Sequence, residues 1–134
     1  MMILENARLA LLAAEHKAEE LGIAITTVIV DDHGSLIAAS RMDKALTISP
    51  KFATAKAFTA ANLGLPSDAL AAAAGEGKPY VGITSLFGGE LTAMAGGLPI
   101  TVNGKVIGAV GVGGSPDPKQ DTLCAQEAVK IFAA

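Results

Sequence analysis

LPITVNGKVIGAVGVGG, residues 98–114, decides the fold. Asn103-Gly104 stands between two apolar, β-rich runs, and a two-residue turn there requires φ > 0 at both central positions, which these two residues tolerate best. A β-hairpin is therefore expected over Leu98–Gly114. A second hairpin is expected over Ile23–Met42, where Ile25, Thr26, Thr27, Val28, Ile29 and Val30 favour strand and Asp31-Asp32-His33-Gly34 supplies the turn. Hairpins, unlike βαβ crossovers, join antiparallel strands.

Helical signals surround the hairpins. Leu4, Ala7, Leu11, Ala14, Ala18 and Leu21 form one stripe of a helix over residues 3–21, stopped by Gly22. Ser49-Pro50 reads as N-cap and first helical residue of a second, Ala-rich helix ending at Gly64. Ser67–Ala74 reads as a short third helix, and Gly75–Pro79 as a loop. Between Tyr80 and Gly97, Val81–Leu86 reads as strand or irregular chain and Leu91–Ala95 as a short strand. Asp117, Pro118 and Gln120 form a capping box that starts a last helix running to about Ala134. The sum is an α+β class: one domain over residues 1–134, an antiparallel sheet of about five strands with helices packed on it.

Composition narrows the partners. Of 134 residues, 51% are hydrophobic and 17% charged. A domain this small has too little interior for that apolar share, so part of it belongs on an association surface and a homo-oligomer is expected. The net charge of −3, with no Lys/Arg cluster, argues against nucleic acid. No apolar run reaches the length of a membrane span, and the first twenty residues, with Glu5, Glu15, Glu19 and Glu20, do not resemble a secretory signal. With a single cysteine, Cys124, a cytoplasmic setting is expected.

Few residues stand out as chemistry. Arg41 and Asp43 flank Met42 at a strand end, where alternation presents a guanidinium and a carboxylate on one side; the pair either holds a carboxylate ligand or closes the strand end on itself. Lys56 shares a helix side with Phe52, Thr59 and Leu63, which places a charge in a partly apolar wall, whereas Lys51 reads as solvated. Gly96-Gly97 and the run through Gly108, Gly111, Gly113 and Gly114 allow close backbone approach, either to an anion at a helix N-terminus or between helix and sheet. That run is neither a Walker loop nor a dinucleotide fingerprint. His33 reads as an exposed turn residue, and His16 lies among Glu15, Glu19 and Glu20 on a charged helix face. Nothing joins the serines to either histidine as a triad.

The order of these motifs is similar to that of a known family. V-D-x-x-G-x-L, R-M-D at the end of the next strand, a Lys-Ala helix, G-G-x-P-I and V-I-G-A-V-G-V-G-G resemble the GlcG/HbpS/PduO C-terminal-domain family, a haem-binding family also called haem-degrading, over about residues 7–128. The resemblance implies a protein that binds haem or a related tetrapyrrole. Arg41, Asp43, Lys56, Gly96, Gly97 and Gly113 are then the candidate ligand-binding residues, and His33 and His16 the candidate iron ligands. With one Tyr, four Phe and no Trp, one subunit offers few ring faces, which favours a haem at a subunit interface. Two other functions use the same residues: an enzyme acting on a small carboxylated metabolite, with Arg41 fixing the carboxylate and Asp43 or Asp31 moving a proton, and an accessory subunit without a ligand.

Overall fold

The computed structural model describes residues 1–133. Helix α1 (Leu4–Leu21) leads into strands β1 (Thr26–Asp31) and β2 (Leu36–Arg41), followed by helix α2 (Ser49–Leu63). A 3-10 turn, Ser67–Leu70, runs into the single helical turn α3 (Ala71–Ala74). Further 3-10 turns over Ile83–Gly89 precede strands β3 (Gly97–Val102) and β4 (Lys105–Gly113) and helix α4 (Pro118–Lys130). The four strands form one antiparallel sheet in the order β2-β1-β4-β3.

The expected α+β class and both hairpins are present. Asn103 and Gly104 have φ of 52° and 77°, the left-handed pair that the β3-β4 turn demands. A Cβ at Gly104 would meet nothing within 4 Å, so the cost of Gly104→Val is backbone strain alone. It is expected to lower stability by about 1–2 kcal/mol, read from the denaturant midpoint; an unchanged midpoint would exclude this turn geometry.

The sheet is smaller than expected, with four strands instead of about five. Leu91–Ala95 is not a strand: the Thr92 N–H donates to Thr59 Oγ1 of α2 (2.9 Å), and the Met94 N–H donates to Thr92 Oγ1 (3.2 Å), so these amides are spent before a neighbouring strand could use them. Val81–Leu86 lies in turns, where Gly82 takes φ 79°. Ser49 is not an N-cap either. Its hydroxyl donates to Leu46 O (2.6 Å) and contacts Thr26 Oγ1 (2.7 Å), tying the entry of α2 to β1. At α4, Asp117 accepts from the Lys119 N–H (3.0 Å), but the Gln120 side chain turns to Ser115, so the capping box closes on one side only. This helix ends at Lys130, and Ala134 lies outside the described residues.

Three layers result. Ala7, Ala10, Leu11, Ala14 and Ala18 of α1 and Cys124, Ala125 and Ala128 of α4 pack with Ile25, Ile29, Ile100, Val110 and Val112 on one sheet face. Leu4, expected in the α1 stripe, is exposed. The other face carries Val28, Val30 and Ala109, covered by Ala53, Ala57, Ala60 and Ala61 of α2. Methyl-sized side chains bring α2 so near that a Cβ at Gly111 would lie 2.0 Å from Ala53 O. Helix α2 packs over β1, β4 and β3, and the same face of the edge strand β2 stays open.

Candidate ligand-binding site

Strand alternation, read with a bulge, decides what the open face of β2 offers. Val28 pairs with Ala39 and Thr26 with Arg41, and since Val28 and Thr26 face α2, so do Ala39 and Arg41. The register slips between Ile29 and Val30, which brings Leu36 opposite Val30 and onto that face too. Leu36 and Arg41 are exposed. Among the described residues neither Arg41 nor Asp43 has an ion-pair partner within 4.0 Å, so they do not close the strand end on each other.

Along α2 runs a groove of about 490 Å³. One wall is α2, with Pro50, Lys51, Thr54, Ala55 and Phe58; Gly34 of the β1-β2 turn and Gly88, Gly89 and Glu90 complete it. Successive α2 residues three and four apart share a side, which is why Lys51, Thr54, Ala55 and Phe58 line the groove together. The groove therefore offers an aromatic and aliphatic floor, one ammonium and one carboxylate. Its volume lies in the range of about 300–1,000 Å³ common to small-molecule sites.

His33 stands next to the lining residue Gly34. Its side chain is 85% exposed, with Nε2 4.0 Å from Asp32 Oδ1. The turn that carries it is fixed by Asp31, whose Oδ1 accepts from the His33 and Ser35 N–H groups (2.9 Å each). Those bonds, that of Ser35 above all, hold the Asp31 carboxyl below the ordinary carboxylate range. His16 is on α1, across the sheet, with Nε2 3.6 Å from Glu20 Oε1.

The remaining expected residues do not join the groove. Lys56 is 2% exposed and points inward: Nζ donates to Val112 O (2.9 Å) and to Asp121 Oδ2 (3.0 Å). Asp121 Oδ1 accepts from the Ser115 N–H (3.1 Å), so one buried carboxylate ties α4, α2 and the end of β4 together. Burial pushes the Asp121 carboxyl above its ordinary range, and the adjoining Lys56 charge opposes that push. Gly96, Gly97 and Gly113 are closed to a ligand by α2: a Cβ there would lie 2.9 Å from Lys56 Nζ, 2.2 Å from Lys56 O and 2.9 Å from Phe52 Cβ respectively. The close approach these glycines allow is that of helix to sheet. Among the described residues no three His, Cys, Asp or Glu side chains converge on a metal position, and no helix is long and apolar enough to cross a membrane.

The comparisons with known proteins agree with this architecture. The crystal structure of Klebsiella pneumoniae protein ORFY superposes with a TM-score of 0.95, at 33% identity over 99% of this chain and 91% of that one. The PduOC–haem complex superposes with a TM-score of 0.91, at 28% identity over 97% of this chain and 94% of that one. The corrinoid adenosyltransferase PduO of Salmonella typhimurium is 31% identical over 87% of this chain, which spans 34% of that protein's length. A family model described as "Haem degrading protein HbpS-like" matches residues 2–130. With the four-stranded sheet, its two hairpins and nearly every residue of the chain inside that match, the protein belongs to the HbpS-like family.

Proposed function

We propose that this protein binds haem or a related tetrapyrrole in the groove beside α2. The observation that carries the reading is the PduOC–haem complex, whose fold this chain shares over 97% of its length. The residues present fit such a group. Phe58, Ala55 and Pro50 offer an apolar bed, Lys51 lines it, and Arg41 lies on the same side of the sheet to meet carboxylates. The groove lining holds no His, Cys, Met or Tyr; His33, which flanks the lining residue Gly34, would be the candidate iron ligand from this chain. Bound haem would supply a redox-active iron; the chain orients the macrocycle and neutralises its carboxylates. Glu90 limits the negative charge that the groove accepts.

Haemin titration tests this. A saturable Soret shift is expected, weakened by about 1.5–3 kcal/mol in Lys51→Ala and in Arg41→Ala, the range of a charge-assisted hydrogen bond. His33→Ala is expected to change the Soret signature, and His16→Ala to leave it as it is. Absence of saturable binding by the wild type would end the haem reading, and Arg41→Ala would then be assayed against small carboxylic acids.

We also propose that the protein is a homo-oligomer in solution, supported by the exposed Leu9 and Leu12 of α1 and Leu123 of α4. Light scattering at micromolar concentration is expected to give a multiple of the chain mass; a monomer would overturn this.

A further inference from the structure

One aromatic residue, Phe58, lines the groove, and a second, Phe87, directly precedes its lining glycines in the chain. Phe58 rests against Gly34, where an added Cβ would come within 2.7 Å of its ring. Phe87, next to the lining residues Gly88 and Gly89, is 66% exposed. Its backbone is left-handed, with φ 56° and ψ 34°, following an extended Leu86 and preceding two more left-handed residues, Gly88 (φ 67°) and Gly89 (φ 83°). Apart from the turn residue Asn103, no other non-glycine residue among those described has positive φ. A phenylalanine in this region is strained, and no burial of its ring offsets the strain.

The flanks of this turn are held. On one side Leu91 is buried and the Thr92 N–H is bonded to Thr59 of α2; on the other the Tyr80 N–H donates to Ala73 O (2.8 Å). Between these anchors, Cβ atoms at Gly88 and Gly89 would meet nothing within 4 Å, so no neighbouring atom crowds the two glycines on that side.

We propose that Leu86–Gly89 is a flap that closes the Phe87 ring onto a flat aromatic anion lying on Phe58, with Lys51 taking its negative charge. This rests on the reading of the groove as the ligand site and adds the residue that retains the ligand. Flat aromatic ligands are recognised by ring faces on both sides, and the chain has a second face at this groove only if Phe87 moves.

The test measures release of protoporphyrin IX, chased with excess apomyoglobin, and of 1-anilinonaphthalene-8-sulfonate, followed by its fluorescence. In Phe87→Ala release of the bound probe is expected to be about tenfold faster, the upper range for one aromatic pair. Phe87→Trp is expected to restore slow release, with association rates little changed throughout. Unchanged release in Phe87→Ala overturns the flap even where haemin binds well. Phe87→Ala chains that keep slow release but lose their oligomeric state also overturn it, since the ring then belongs to a contact between copies. A wild type that fails to bind haemin yet retains the sulfonate in a Phe87-dependent way refutes the haem reading and upholds the flap. Failure of all three probes to bind refutes both.

Discussion

Asp121→Ala is expected to cost about 3–5 kcal/mol, the penalty for leaving a buried charge without its partner. Lys56 would keep only Val112 O, in a position 2% exposed, and the Ser115 N–H would lose its acceptor as well. Urea unfolding followed by circular dichroism reads the loss. Because the penalty lies in the orphaned ammonium, Lys56→Met combined with Asp121→Leu is expected to recover most of it, as apolar replacements of buried pairs do. A double variant as unstable as the single would place the cost in packing instead. The pH dependence has a definite sign. Asp31, whose carboxyl is held below its ordinary value by its backbone donors, contributes stability that is present above that value and is lost as the pH falls through the lowered one. Comparison of the wild type with Asp31→Asn by urea unfolding is therefore expected to show the wild type losing its advantage as acid is added.

The second large effect is expected from a single methyl group. Gly111→Ala would place Cβ 2.0 Å from Ala53 O and 2.6 Å from Ala57 N, both backbone atoms of α2. No rotamer change relieves that overlap; the helix must lift from the sheet, opening the contact of Ala53, Ala57 and Ala60 with Val28, Val30 and Ala109. A loss of about 3 kcal/mol or more is expected, at or beyond the usual cost of overpacking, measured by thermal and urea unfolding. A loss below about 1 kcal/mol, within reach of local adjustment, would mean that α2 is held less closely than its distances imply. Gly104→Val is the contrast: there the added atoms meet open space and only the φ angle resists.

The hairpins were legible because their information is local. Asn103-Gly104 and the β-branched run Ile25–Val30 each specify a backbone conformation without reference to the rest of the chain. The stretch from Val81 to Ala95 was not legible for the opposite reason. Its apolar residues suggest burial, but Gly82, Gly88 and Gly89 take left-handed conformations, and Thr92 is bonded by a hydroxyl 33 positions away, in α2. The groove was hidden in the same way, since Gly34, Lys51, Phe58 and Gly89 come from three separate parts of the chain. Lys51, exposed as expected, lines it; Lys56, a candidate ligand contact, does not. One signal for the inward Lys56 was present in each helix. Lys56 stands among Ala53, Ala57 and Ala60, and Asp121 precedes Cys124, Ala125 and Ala128 at helical spacing, so each helix carried one charge within a small-residue stripe and each needed the other.

The buried pair also sets a timetable for synthesis. Strand β1 finds its central neighbour β4 about eighty residues later, and the ammonium of Lys56 finds its counter-ion only at Asp121. Until that part of the chain has left the ribosome, the first hairpin has one open edge too many and α2 cannot settle on the sheet without desolvating an unmatched cation. Folding is therefore expected to wait for the last helix, and a nascent chain halted before Asp121 to remain a client for chaperones, however complete its first half looks in the finished protein.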